Sequence, residues 1–206
     1  MTKAPYVVAL SGASGAGYGL RLIRALAESG YAVDVIISDT ARWILKAETG
    51  LRLERDFDPH DFAPVLGKKL AARIRTYRIF DFTAPPASGS YRIRGMAVIP
   101  CSMGTLGALA SGVSGNLIHR AADCALKEGR RLVVVPRETP LHAIHLQNLL
   151  KLTEAGAKIV PAMPAFYGRP QTIEELVDFV VAKVLNQLGV EHDLGTRWAG
   201  PSGKED

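Results

Sequence analysis

Cysteine is nearly missing: Cys101 and Cys124 are the two in 206 residues. Two thiols so placed give neither a disulfide framework nor a zinc spacing, and a reducing, cytoplasmic setting fits them. No run of about 18 apolar residues occurs, so no membrane span is expected. The opening "MTKAPYVVAL" has too short an apolar core for a signal peptide. The 25 Lys and Arg residues form no dense block. Their richest stretch, "KKLAARIRTYR" (68–78), mixes cations with apolar residues and reads as a solvated face. Aromatic platforms and nucleic-acid reading motifs are also lacking, so no nucleic-acid partner is expected. Metal signals are thin. "DFDPHD" spaces Asp56, Asp58 and Asp61 like a magnesium cluster but lacks the EF-hand glycine. His142 and His145 stand three apart without a third ligand nearby. No metal is expected.

What is present reads as one α/β domain. The length suits a single core, and 48% hydrophobic residues leave apolar surface for self-association. Apolar runs at 5–10, 32–38, 95–102, 131–136 and 158–162 alternate with amphipathic stretches. Residues 51–94 are the least regular; "RTYRIFDF" is a candidate strand and "TAPPASGSYR" a loop. Thr139 followed by Pro140 predicts a helix start, and Thr172 with Glu175 predicts a capping box. Strands alternating with helices predict a doubly wound parallel sheet. Ligands of such sheets sit beyond the carboxyl ends of the strands. The loops 11–15, 38–40, 100–105 and 136–140 leave those ends and should converge.

The first of these loops is glycine-rich: "SGASGAGYG". It fails the dinucleotide fingerprint, because Leu20 or Leu22 stands where a third glycine is needed, and it lacks the P-loop lysine. What remains is a helix N-terminus open to an anion. "PCSMGTLGALASG" adds Ser102 and Thr105 at a second helix start. Two hydroxyl-bearing helix starts suit a phosphorylated cofactor such as FMN. Beyond them, Arg120 and Lys127 share a helix face, while Arg137 and Glu138 follow a buried strand on the ligand side. Guanidinium forks and ammonium groups suit phosphate oxygens. Cys101 has no base beside it and reads as a small buried residue.

The combination of "SGASGAGYGLRLI", "PCSMGTLGALASG", "NLIHRAADCALKE", "VVVPRETPLHAIHLQNLLKL" and "PAFYGRPQTIEELVDFVVAKVLNQLG" resembles the UbiX-type flavin prenyltransferases over nearly the whole chain. The resemblance implies a flavodoxin-like (Rossmann-like) three-layer sandwich with a mainly parallel sheet. A single flavin-binding domain would span 1–189, with a tail at 190–206. It implies a homo-oligomer, typically a dodecamer. The reaction would join a dimethylallyl group from dimethylallyl monophosphate to N5 and C6 of reduced FMN. The prenylated FMN would serve a UbiD-type decarboxylase.

By the same resemblance, Gly12, Ala13, Ser14, Ser38, Ser102, Met103, Gly104, Thr105 and Arg137 would hold FMN. Trp198 would lie over the flavin as a lid. Arg120, Lys127, Arg137, Tyr167 and Lys183 would hold the prenyl phosphate. Lys183 stands where the family more often has Arg, which keeps the charge and loses the fork. Ser14 and Glu138 match proton-transfer positions, and Glu48 matches a position that completes a neighbouring subunit's site. The chemistry agrees: cations can stabilise a departing phosphate without a metal. Two other readings stand beside this one. The first is a flavin-dependent cysteine decarboxylase, for which "PPASGSY" replaces the expected "PASANT". The second is a flavin carrier, in which Arg120, Lys127, Tyr167 and Lys183 would have no task.

Overall fold

The structure is a computed structural model that describes residues 4–195. Six parallel strands form its sheet: β1 (Tyr6–Leu10), β2 (Val33–Ile37), β3 (Ile74–Tyr77), β4 (Gly95–Cys101), β5 (Arg131–Pro136) and β6 (Lys158–Ile159). Their order is β3-β2-β1-β4-β5-β6, so the winding reverses between β1 and β4. In sheets of this kind the crevice at that reversal is where ligands bind.

Every residue of β1, β2 and β4 is buried, which is why these runs read as continuously apolar rather than alternating. Successive side chains still go to opposite faces. Val8, Leu10, Val35, Ile37 and Ile99 enter one core with Leu22, Ile23 and Leu26 of α1 (Ala16–Glu28). Leu45 of α2 (Asp39–Thr49) and Val184 and Leu185 of α8 (Ile173–Leu188) complete it. Val7, Ala9, Ile36 and Val98 enter the other core with Leu106 of α5 (Met103–Ala110) and Ile118 and Ala122 of α6 (Leu117–Lys127). Leu152 of α7 (Ala143–Glu154) closes that side. The result is a three-layer sandwich, helices on both faces.

The irregular segment has its own explanation. Asp58 and Asp61 form a reciprocal cap on a 3-10 turn at Pro59–Phe62, and Asp56 pairs with Arg78 at 2.9 Å. These acids hold a turn in place. Two short helices follow, α3 (Ala63–Leu66) and α4 (Lys68–Ala71), before β3. That strand stops at Tyr77, earlier than "RTYRIFDF" promised. Two other expectations shift. Helix α7 begins at Ala143 with His142 as its cap, and Thr139 and Pro140 lie in a bend before it. Thr172 caps α8 as expected, accepting from Glu175 N at 3.2 Å, but the Glu175 carboxylate answers Gln171 N at 2.7 Å. Val190 is buried in the first core and Leu194 packs against it. Trp198 lies outside the described residues.

Candidate active site

Four loops meet at the β1/β4 reversal, and their hydrogen bonds show how. Ser11 follows β1 directly and is 2% exposed. Its Oγ accepts from Ser102 N at 2.8 Å and donates to Pro100 O at 3.2 Å. Ser102 caps α5, accepting from Thr105 N at 3.3 Å and donating to Thr105 Oγ1 at 3.1 Å. Arg137 ties the β5 loop to both neighbours. Its N–H donates to Cys101 O at 3.2 Å and its Nε donates to Ser14 O at 3.2 Å. On the other side, a Cβ at Gly12 would come within 2.8 Å of Thr40, so only glycine lets this loop lie against the first turn of α2. Ser38 caps that helix, accepting from Ala41 N at 3.1 Å.

The structure thus brings Gly12, Ala13, Ser14, Ser38, Ser102, Met103, Gly104, Thr105, Arg137 and Glu138 to one edge of the sheet. Glu138 is exposed and its Oε1 accepts from Thr139 N at 3.1 Å. Glu48 joins this group from the last turn of α2. Its carboxylate accepts from Gly15 N at 3.0 Å and Ala16 N at 2.8 Å, within its own chain. The start of α1, read as open to an external anion, already holds one of the protein's own. Cys101 is fully buried and its thiol is pushed up to about 12 by desolvation, which makes it no nucleophile.

The remaining cations lie elsewhere. Helix α6 turns directly into β5, so it runs antiparallel to that strand. Lys127 therefore ends up near the start of β5, and Arg137 follows its end. Six strand residues separate those ends by about 20 Å. Arg120 Nε donates to Ala87 O at 3.0 Å and its Nη1 to Asp123 at 2.7 Å. Lys127 pairs with Glu128. Tyr167 and Lys183 form a third group around Phe179 of α8. The Tyr167 ring meets Phe179 edge-on at 5.9 Å, and Lys183 Nζ lies over the same ring at 5.2 Å. Arg120 and Lys127 on α6 thus lie on one face of the sheet, and Lys183 on α8, with Tyr167 beside it, on the other. Among the described residues no three His, Cys, Asp or Glu side chains form a group able to hold a metal ion. His142 and His145 stack on each other at 3.5 Å.

The Flavoprotein family matches residues 1–185. The chain is 50% identical over 199 residues to the flavin prenyltransferase UbiX of Halalkalibacterium halodurans, covering 95% of this chain and 94% of that protein. The chain belongs to the UbiX flavin prenyltransferase family. Solved structures agree. A dodecameric FMN-dependent UbiX-like decarboxylase from Escherichia coli O157:H7 matches with a TM-score of 0.83 at 41% identity, over 95% of this chain and 100% of that one. AnUbiX in complex with FMN and dimethylallyl pyrophosphate matches with a TM-score of 0.85 at 40% identity, over 96% and 98% of the two chains.

Within the family's fold, Ser11 is the residue that the sequence reading missed. Its signal was present: a hydroxyl directly after five buried apolar residues has to find a buried partner. No membrane-spanning helix occurs among the described residues.

Proposed function

We propose that this chain transfers a dimethylallyl group from dimethylallyl monophosphate to N5 and C6 of reduced FMN. The observation that carries the reading is the joined set of loops at the β1/β4 reversal, in a chain of the flavin prenyltransferase family. The residues fit FMN. The Gly12 cradle against Thr40 leaves backbone, not side chain, at the crevice. The Ser38, Ser102 and Thr105 hydroxyls and the Arg137 guanidinium suit ribityl hydroxyls and a phosphate. Glu48 occupies the α1 amides, so these groups and the starts of α2 and α5 take the phosphate's charge.

Reduced flavin, when bound, supplies the electron-rich acceptor for the five-carbon unit. The allylic C–O bond breaks with its electron pair leaving on phosphate. Arg120, Lys127, Arg137, Tyr167 and Lys183 hold that departing anion, and their charge lowers the cost of separating it from the allylic carbon. Ser14 and Glu138 move protons between acceptor and phosphate. Glu48 holds the loop that carries Ser14. Tyr167 shields the cationic carbon from water.

Because Arg120 and Lys127 lie on one face of the sheet and Tyr167 and Lys183 on the other, the phosphate pocket is assembled between copies. Exposed apolar residues support this: Ile144, Leu146 and Leu150 on α7, and Phe166 and Ile173 before and on α8, lie more than half open to water. We assign a homo-oligomer, with a dodecamer as its form. A cytoplasmic setting, where reduced flavin is at hand, suits the two free buried thiols. A UbiD-type decarboxylase is the assigned recipient of the product.

The test is direct. The protein is incubated anaerobically with reduced FMN and dimethylallyl monophosphate in the presence of a chelator, and the flavin mass is followed. A five-carbon adduct is expected. A parallel arm with the pyrophosphate asks which leaving group is used. An unchanged flavin mass in both arms defeats the reading.

A further inference from the structure

Asp34 is the one charged residue fully buried among the described residues, and it is the second residue of β2, between Val33 and Val35. An apolar side chain there would avoid the desolvation that a carboxylate suffers. The carboxylate instead works as a hub. Its Oδ1 accepts from Arg75 Nε at 2.7 Å and its Oδ2 from the Tyr91 hydroxyl at 2.9 Å. Arg75 Nη2 in turn donates to the Tyr91 oxygen at 2.9 Å. Burial pushes the Asp34 carboxyl up despite these partners.

Tyr91 ends the crossover between β3 and β4, which has a single 3-10 turn at Pro85–Ala87 where a helix would be usual. The crossover's own tight turns bond Ala87 N to Ala84 O, Ser88 N to Pro85 O and Tyr91 N to Ser88 O, and side chains from the α6 side take carbonyls that these turns leave open. Ala87 O accepts from Arg120 Nε at 3.0 Å and from Cys124 Sγ at 3.3 Å. Gly89 O and Tyr91 O each accept from Arg130 at 2.6 Å. Lys127 Nζ stands so near Gly89 that a Cβ there would come within 2.5 Å of it. The 87–91 loop is therefore clamped between the Asp34 hub and α6. The Ala87 carbonyl on this loop and the Asp123 carboxylate on α6 together hold the Arg120 guanidinium.

We propose that Asp34 and Tyr91 are positioning residues for prenyl transfer: they fix the 87–91 loop, whose Ala87 carbonyl aims Arg120 and whose Gly89 seats Lys127 for the substrate phosphate. The proposal rests on the reading of Arg120 and Lys127 as phosphate ligands. The expected effect is on phosphate affinity, since neither residue belongs to the loops at the flavin edge.

The test uses the full-length FMN-loaded protein with Tyr91→Phe, Asp34→Asn, Arg120→Ala and the Tyr91→Phe/Arg120→Ala double variant. Tyr91→Phe removes two hydrogen bonds to charged groups, the one donated to Asp34 and the one accepted from Arg75, so KM for dimethylallyl monophosphate should rise at least about tenfold. The kcat at saturation and the FMN affinity by flavin fluorescence should stay within about twofold. Calorimetric titration of dimethylallyl monophosphate should show the same loss. In the double variant, Tyr91→Phe should add little to Arg120→Ala, because coupled residues are not additive. Should Asp34→Asn fail to fold, Tyr91→Phe still decides. An unchanged KM in Tyr91→Phe, or full additivity in the double variant, overturns the positioning role. An unchanged KM in Arg120→Ala overturns the phosphate reading itself, and so separates the two failures.

Discussion

Replacing Glu48 by alanine is the most informative single perturbation of this fold. The carboxylate is the cap of α1 at a distance of 33 residues in sequence, accepting from Gly15 N and Ala16 N between 2.8 and 3.2 Å. No local side chain replaces it, since Gly15 at the N-cap position has none. Alanine suits the last turn of α2, so that helix keeps its own stability. What is lost is a charged cap, which is worth about 1 kcal/mol for an exposed site where water can reach the freed amides. In a chain of this size that lowers Tm by roughly 2–4 °C. The vacated helix start then becomes an anion site, so inorganic phosphate should raise the Tm of Glu48→Ala more than that of the wild type. Thermal melts of the flavin-free proteins across a phosphate series give both numbers. Equal melting temperatures, or an equal response to phosphate, would show that the carboxylate does not hold this helix start.

Other outcomes follow from single contacts. Ser11→Ala leaves Ser102 N–H without its buried acceptor and should cost about 1–3 kcal/mol in urea unfolding, with weaker FMN binding by fluorescence titration. Gly19→Ala places a Cβ 2.7 Å from Ile99 O and 2.8 Å from Leu10, which should push α1 off the sheet and lower the urea midpoint by the equivalent of about 1–3 kcal/mol. The buried Cys101 thiol keeps its proton up to about 12, whereas the unfolded chain releases it near 9. Wild-type stability should thus fall with rising pH from about 9 by up to about 1.4 kcal/mol per unit, relative to Cys101→Ala. Parallel pH slopes of the two proteins would contradict that burial.

The sequence carried the sheet because buried parallel strands must be largely apolar on both faces, and β1, β2 (Asp34 apart), β4 and β5 are. Caps at Ser38, Ser102 and Thr172 were equally legible, since each is a local exchange between a hydroxyl and an N–H three residues on. What failed was non-local or depended on a turn. Pro140 has the right chemistry for a first helical residue, but it lies in a bend before the helix and His142 does the capping. Glu48 binds amides across 33 residues, a pairing that no window of sequence reveals. The distance between Lys127 and Arg137 is the instructive case. Ten residues apart in sequence, they lie toward opposite ends of β5, because a helix that turns straight into a strand must run back along it.

That separation has a genetic consequence on the proposed assembly. A copy lacking Lys127 and a copy lacking Arg137 would each be inert alone, yet mixed oligomers would contain intact pockets built from the sound half of each. Two inactive proteins co-expressed would then recover turnover, while a copy bearing both lesions would poison its neighbours on either side.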